Sequence, residues 1–379
     1  MKNTTLILLI VLSVFSCKQK NTKNSEIVNI DFSSQKSISF FDNEVFKSVD
    51  YTLLEANEGA MLGNKPKLIL QNNIYYIYDR DKYYVTLFDL TGKFINKVGV
   101  VGRGPGEYVL SEDFLVDKKT NNVEIISLQN EMIYQYKSDG TFIDTLYTGT
   151  YAFSFTKDDD GNYWICKGPY GEENDIKGKE QIYKINGKGE LLKKYLPIDN
   201  IAFRNPMPEE SLTEVNGNLF FKIWFDNTVY RISDNGAEPV AIFDFKERSI
   251  TKDILMTPPE QFINKLMEKE FLTIQKYLEN DDYIYAGIEN GDVTKFYHYL
   301  FNKKTSKAVF YEMNKDNTFR MGLGTAKILT DKNELIFIGD PVILNELINS
   351  GNNLFSSAKE IPAMDEKSNN VIVKLKIRD

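Results

Sequence analysis

The sequence predicts an all-β fold, a six-bladed β-propeller of four-stranded blades. Short Tyr-, Phe-, Ile- and Val-rich segments alternate with Asn/Asp/Gly clusters along nearly the whole chain, as in sandwiches, barrels and propellers. The clusters recur with a period that suits a four-stranded unit. A strand-like segment is left over at each end of the repeats, and the two together can close a ring.

One register of turns stands directly before an apolar strand. Asn72-Asn73 precedes Ile74–Tyr78, Asn121-Asn122 precedes Val123–Ile126, and Gly161-Asn162 precedes Tyr163–Ile165. Gly217-Asn218, Asp281-Asp282 and Lys332-Asn333 continue the series, which gives six turns. A second register is a hairpin in which an aromatic residue or Ile is followed four residues later by Gly: Phe88 to Gly92, Tyr136 to Gly140, Ile185 to Gly189 and Ile232 to Gly236. These glycines are 47 to 49 residues apart, and Phe301 to Thr305 is a degenerate fifth hairpin about 20 residues late. A sixth is missing because the chain ends at Asp379, so the last blade is one strand short. Phe46–Leu54 is predicted to supply that strand by pairing with Val371–Ile377. Tandem sandwiches would need about seven strands per repeat rather than four.

The late hairpin points to an insert near 249–271. Thr257-Pro258-Pro259-Glu260 offers a helix start, and Phe262, Ile263, Leu266, Met267 and Phe271 recur at helical spacing. A second short helix is predicted over Pro341–Ile348, with a looser amphipathic pattern.

The first 16 residues read as an export signal, with Lys2 ahead of the apolar run Leu6–Leu12. That run is too short to span a bilayer. Cys17 after Ser16 resembles a bacterial lipobox, in which the cysteine is acylated and becomes the first mature residue. Residues 17–44 read as a lipidated tether and linker, and the propeller as 45–379. The stretch after Cys17 is basic, and in lipoproteins of the Bacteroidota type, which this low-Cys, Tyr/Asn/Lys-rich chain resembles, surface display tends to follow an acidic one. The expected location is therefore the outer membrane, facing the periplasm.

Composition removes several function classes. Lys and Arg total 46 against 54 Asp and Glu, a net charge of −8, so nucleic-acid phosphates are poor partners. With one histidine and two cysteines the chain cannot assemble a Cys/His zinc site or a disulfide framework. No cofactor or metal is expected. Cys166, within Tyr163-Trp164-Ile165-Cys166, reads as a core position and His298 as structural, with no Ser or Cys motif to partner it. Asp158–Asn162 hints at calcium, but Tyr163 and Pro169 stand where an EF-hand needs Gly and Glu, so it reads as a turn.

Between the first two units runs Gly99-Val100-Val101-Gly102-Arg103-Gly104-Pro105-Gly106-Glu107-Tyr108. A glycine-rich loop ending in Gly-Pro-Gly-Glu-Tyr after Gly92-Lys93-Phe94-Ile95 resembles the six-bladed propeller lipoproteins of Bacteroidota and, more distantly, NHL-repeat propellers. The resemblance implies the fold and leaves the function open. The loop lacks the Gly-Lys-Ser/Thr ending of a phosphate-binding loop. Its glycines are expected to permit close backbone approach, with Arg103 and Glu107 as a local ion pair. Alternatively Arg103 or Tyr108 reaches the mouth of the central channel, where Asp79 and Arg80 also point as candidates. The candidate ligand-binding residues are therefore Asp79, Arg80, Arg103, Glu107 and Tyr108, and no catalytic residue can be named. The expected function is a monomeric, non-catalytic binding or scaffold module for a glycan, peptide or envelope protein. The alternative is a glycan lyase or hydrolase using carboxylates in the axial pocket.

Overall fold

The computed structural model describes residues 27–31, 44–63, 66–167, 180–197, 210–215, 217–223, 226–268, 270–290, 295–314, 323–349, 353–356 and 362–378. The signal segment, Cys17 and the basic stretch behind it lie outside the described residues.

Six sheets, each built on four antiparallel strands, follow one another in chain order. Two strands precede them, β1 (Val28–Asp31) and β2 (Phe46–Leu53). Blade one is β3 (Pro66–Gln71), β4 (Ile74–Asp79), β5 (Tyr84–Asp89) and β6 (Phe94–Val98). Blade two is β7 (Asp113–Val116), β8 (Val123–Ser127), β9 (Met132–Tyr136) and β10 (Phe142–Tyr147). Blade three is β11 (Ser154–Lys157), β12 (Tyr163–Cys166), β13 (Glu180–Ile185) and β14 (Leu191–Pro197). Blade four is β15 (Leu212–Val215), β16 (Asn218–Lys222), β17 (Thr228–Ser233) and β18 (Gly236–Asp244). Blade five is β19 (Leu272–Glu279), β20 (Tyr283–Asn290), β21 (Lys295–Asn302) and β22 (Lys307–Asn314). Blade six has β23 (Ile328–Leu329), β24 (Glu334–Gly339) and β25 (Val371–Ile377), and its fourth strand is β2. That antiparallel pairing runs from Phe46 opposite Ile377, past a bulge before Ser48, to Leu53 opposite Val371, and the pairing itself is as the sequence predicts.

The core is divided among the junctions between blades. Tyr76, Val85 and Val98 of blade one meet Phe114, Val123 and Ile125 of blade two, and the same arrangement recurs around the disc. Tyr75, Ile77 and Phe88 of blade one meet Ile336, Ile338 and Ile372 of blade six, which completes the ring. Because each blade is packed on both faces, its second strand is apolar at successive positions, as in Ile74–Asp79, where five of the six residues are buried.

Two of the hairpin glycines are required by a close backbone approach. At Gly92, with φ +85°, a Cβ would lie 2.2 Å from the carbonyl oxygen of Leu53 on the outer strand of blade six. At Gly189, with φ +81°, it would lie 2.4 Å from that of Tyr147 on the outer strand of blade two. At Gly140 the nearest atom is the Lys97 carbonyl on the outer strand of blade one, at 3.3 Å, whereas at Gly236 a Cβ meets nothing within 4 Å, so only positive φ is common to all four hairpins.

Two features modify the plain disc. The insert forms α1 (Lys252–Leu255) and α2 (Pro259–Glu268), with Phe262, Leu266, Phe271 and Ile250 in a small core of their own. Pro259 opens α2, where its missing N–H costs nothing. The second predicted helix is α3 (Pro341–Asn349), followed by the single turn α4 (Asn353–Ser356). The other feature departs from the sequence reading. Residues Val28–Asp31, assigned there to the linker, form a fifth strand parallel to β18, pairing Val28 with Ala241 and Asp31 with Asp244. Ile30 is buried among Phe220, Val229, Val240 and Phe243, and that apolar contact recruits the strand.

Candidate functional site

The innermost strands β3, β7, β11, β15, β19 and β23 all run the same way along the disc axis. We call the end where they begin the upper end and the end where they finish the lower end. By connectivity, the lower end carries the tight turns between first and second strands. The upper end carries the links between blades and the loops between second and third strands, including α3 and α4. Residues from all six inner strands enclose an axial cavity of about 440 Å³.

Near its upper end each blade contributes one polar residue to a girdle: Lys67, Asp113, Ser154, Glu210, Lys276 and Lys327. Each lies at or just before its inner strand except Lys276, which follows a bulge inside β19. Lys67 Nζ donates to Asp113 Oδ1 at 2.5 Å and to the Phe114 carbonyl at 3.0 Å. The other oxygen of Asp113 accepts from Ser154 Oγ at 2.9 Å and from Phe155 N at 3.2 Å. One wholly buried carboxylate thereby ties three blades together. On the opposite side Glu210 pairs with Lys276. Burial alone would raise the Glu210 carboxyl, but Lys276, Lys67 and Lys327 act on it together and hold it well below the usual range.

The lower end also carries ion pairs. Lys157 Nζ sits 2.7 Å from Asp117 Oδ2 and 2.8 Å from Glu124 Oε1, and Tyr163 donates to the other Glu124 oxygen at 2.6 Å. Burial pushes the Glu124 carboxyl up even though Lys157 opposes it. At Asp117 the burial effect is outweighed by Lys157 and by donors from Thr120, and its carboxyl is held down to about 2. Lys118 of blade two reaches Glu214 of blade four at 2.7 Å, and since these blades are not neighbours the pair crosses the lower mouth.

The five residues singled out from sequence lie on the upper face of blades one and two, and none lines the cavity. Asp79 is buried; it accepts from Gly63 N at 2.8 Å and Asp81 N at 3.0 Å, and so fixes the loop after β4. Arg80, half-buried beside it, lowers the Glu112 carboxyl that burial raises. Tyr108 is 0% exposed and donates to the Tyr83 carbonyl at 2.5 Å, so its ring offers no surface to a ligand. Gly99, at φ +101°, leaves the space that the Tyr108 hydroxyl fills. The expected Arg103–Glu107 ion pair does not form. Glu107 turns inward to accept from Gly104 N at 2.8 Å, in a space kept open by the absence of a side chain at Gly102, while Arg103 is exposed. The glycine-rich loop is a clasp, pinned by a bridge between Val101 and Tyr108.

Three other readings are met as expected. His298 is buried, shares a hydrogen bond of 2.8 Å between Nδ1 and the Tyr285 hydroxyl, and is pushed down to about 3 by burial. Cys166 is buried beside Trp164 and Ile182. Asp158–Asn162 is a turn in which Asp158 accepts from Asn162 N at 2.8 Å. The girdle itself was missed. Its signal was available, since each girdle residue stands five to eight residues ahead of a turn of the first register and is followed within two positions by an apolar inner-strand residue. A single polar residue at a strand start carries no chemistry until six of them meet.

In shape the chain agrees with a protein of Bacteroides fragilis described as exported, at TM-score 0.75 and 17% identity, covering 93% of this chain and 100% of that one. A member of the DUF4221 family from Bacteroides vulgatus aligns at TM-score 0.54 and 11% identity, covering 89% and 99%. At such identities the likeness speaks for the fold alone. No protein of curated function matches the sequence. A family profile does match, over residues 25–376, and the chain belongs to DUF4934, a domain family of unknown function.

Proposed function

We propose that the protein is a lipid-anchored propeller of the cell envelope, on the periplasmic side of the outer membrane, which binds a glycan, peptide or envelope protein at the upper end of its axial cavity without transforming it. The girdle carries this reading. Glycoside cleavage by two carboxyls needs one held protonated to act as acid and a second acting as base or nucleophile. In the girdle Asp113 and Glu210 are each engaged by lysine, and Glu210 is held ionised. What converges there is cationic. Lysines from blades five, six and one surround one glutamate, which suits recognition of an acidic group on the ligand. Arg80 and Arg103, on the same face, are placed to meet the more distant parts of a long ligand.

The test is a glycan and peptide array probed with lipid-free protein, followed by calorimetry on the hits. One acidic ligand class should bind, with no product formed. Lys327→Ala should weaken binding at least about tenfold at unchanged Tm, whereas Arg103→Ala should weaken it less. A product released from any glycan and abolished by Glu210→Gln would establish the hydrolase or lyase alternative instead.

A further inference from the structure

A propeller has no intrinsic up or down at a membrane, and six similar rims could each face the lipid. The strand β1 removes that equivalence. It adds to the outer edge of blade four, and among the described residues no other blade has a fifth strand. Its hold has three parts: the parallel register from Val28 opposite Ala241 to Asp31 opposite Asp244, the burial of Ile30 in the core shared by blades four and five, and the approach of Lys246 to Asp31 at 4.0 Å.

Ten residues separate Cys17 from Val28. A chain of that length can span at most about 35–40 Å. A globular domain of this size is roughly 50 Å across, so the tether is shorter than the disc is wide. If β1 were free, the leash would run from Cys17 to Phe46 on blade six, with 28 residues between them, and would reach past the disc.

We propose that β1 is a docked leash which holds the rim of blade four against the lipid surface and turns blade one, diametrically opposite in the ring, away from it. The inference rests on Cys17 carrying the lipid of the proposed function. Because β1 runs parallel to β18, from the lower end towards the upper, the leash leaves from the lower edge of that rim and the upper mouth of the cavity is turned away from the lipid.

The test uses the full-length lipoprotein in vesicles that carry an acceptor dye on the lipid headgroup. Cysteine is placed at Asn235 or at Thr91, exposed hairpin positions that correspond to each other on blades four and one, and each is labelled with a donor dye. Mass spectrometry first establishes the lipid on Cys17; an unmodified thiol overturns the anchor and the proposal with it. With the lipid present, energy transfer from position 235 should exceed that from 91 at least about twofold. Inserting about 20 flexible Gly/Ser residues between Asn24 and Ser25 leaves the fold untouched and should bring the two efficiencies together, as should Ile30→Asp by releasing the strand. Equal or reversed transfer in the otherwise unaltered chain, or a difference that survives the insertion, overturns the leash while leaving the lipid anchor standing.

Discussion

The two ends of the axial channel are built from the same six strands and differ in almost everything else. At the lower end the chain has only to reverse, and it does so with two recurring kinds of short polar turn, between first and second strands and between third and fourth. At the upper end it crosses between blades, and the described links differ: a glycine clasp joins blades one and two and the helices α1 and α2 join four and five, while α3 and α4 fill a loop inside blade six. Repetition marks where the backbone is merely turning, and the girdle sits where repetition stops. The ends differ in energetics too. The Lys67–Asp113 pair of the girdle is buried between blades, whereas the pair crossing the lower mouth has its lysine 49% exposed.

Four measurements put this contrast at risk. The largest effect is expected from Asp113→Ala, which removes the one carboxylate engaging Lys67, Ser154 and Phe155 and leaves a buried ammonium with only a carbonyl partner; chemical denaturation should show a loss of about 3–5 kcal/mol. Gly189→Ala comes next. It places a Cβ against the Tyr147 carbonyl at positive φ and should cost about 2–4 kcal/mol, whereas the same change at Gly161, where a Cβ meets nothing within 4 Å, should cost about 1–2 kcal/mol.

The third is a pH profile of stability. His298, behind the upper end, has its folded value depressed from the ordinary 6.5 to about 3. The unfolded chain therefore binds a proton that the folded one refuses, and stability present above pH 6.5 is lost as pH falls toward 3. Asp117, at the lower end, is depressed from 3.8 to about 2, so its contribution is present above about pH 4 and lost between there and pH 2. His298→Gln should flatten the first limb and Asp117→Asn the second; one limb lost in both variants would show that the ends are not independent. The smallest effect is expected from Lys118→Ala, below about 1 kcal/mol because the pair is partly solvated. Its value is the contrast with Asp113→Ala, and equal costs would erase the energetic distinction between the two ends.

The sequence was most legible where the physics is local. Paired Asn residues ahead of Ile74 and Val123 announce turns because Asn tolerates positive φ, and Asn72, Asn73 and Asn121 do adopt it. The helix α2 was readable from Pro259 and the spacing of Phe262 and Leu266. Ring closure by β2 followed from counting strands. What stayed hidden depends on which blades become neighbours. Tyr108 looks like a ligand platform until its hydroxyl is seen inside the junction of blades one and two, and Lys67 looks like an ordinary strand lysine until Asp113 arrives from the next blade. The docking of β1 was illegible for a related reason: four residues, Val28-Asn29-Ile30-Asp31, are too few to distinguish a strand from a polar linker until a complementary edge exists.

The pairing of β2 with β25 has a consequence for how the molecule comes into being. Leu53 and Val371 are partners separated by nearly the whole chain. During synthesis β2 emerges early and must wait, unpaired and rich in apolar side chains, until almost every other residue has been delivered. The intervening blades can form in order as their strands appear, since each is a local meander, but the sixth cannot. Loop-closure entropy and this very long sequence separation make the final pairing the slow step of maturation, and the interval before it is when the chain is most exposed to aggregation.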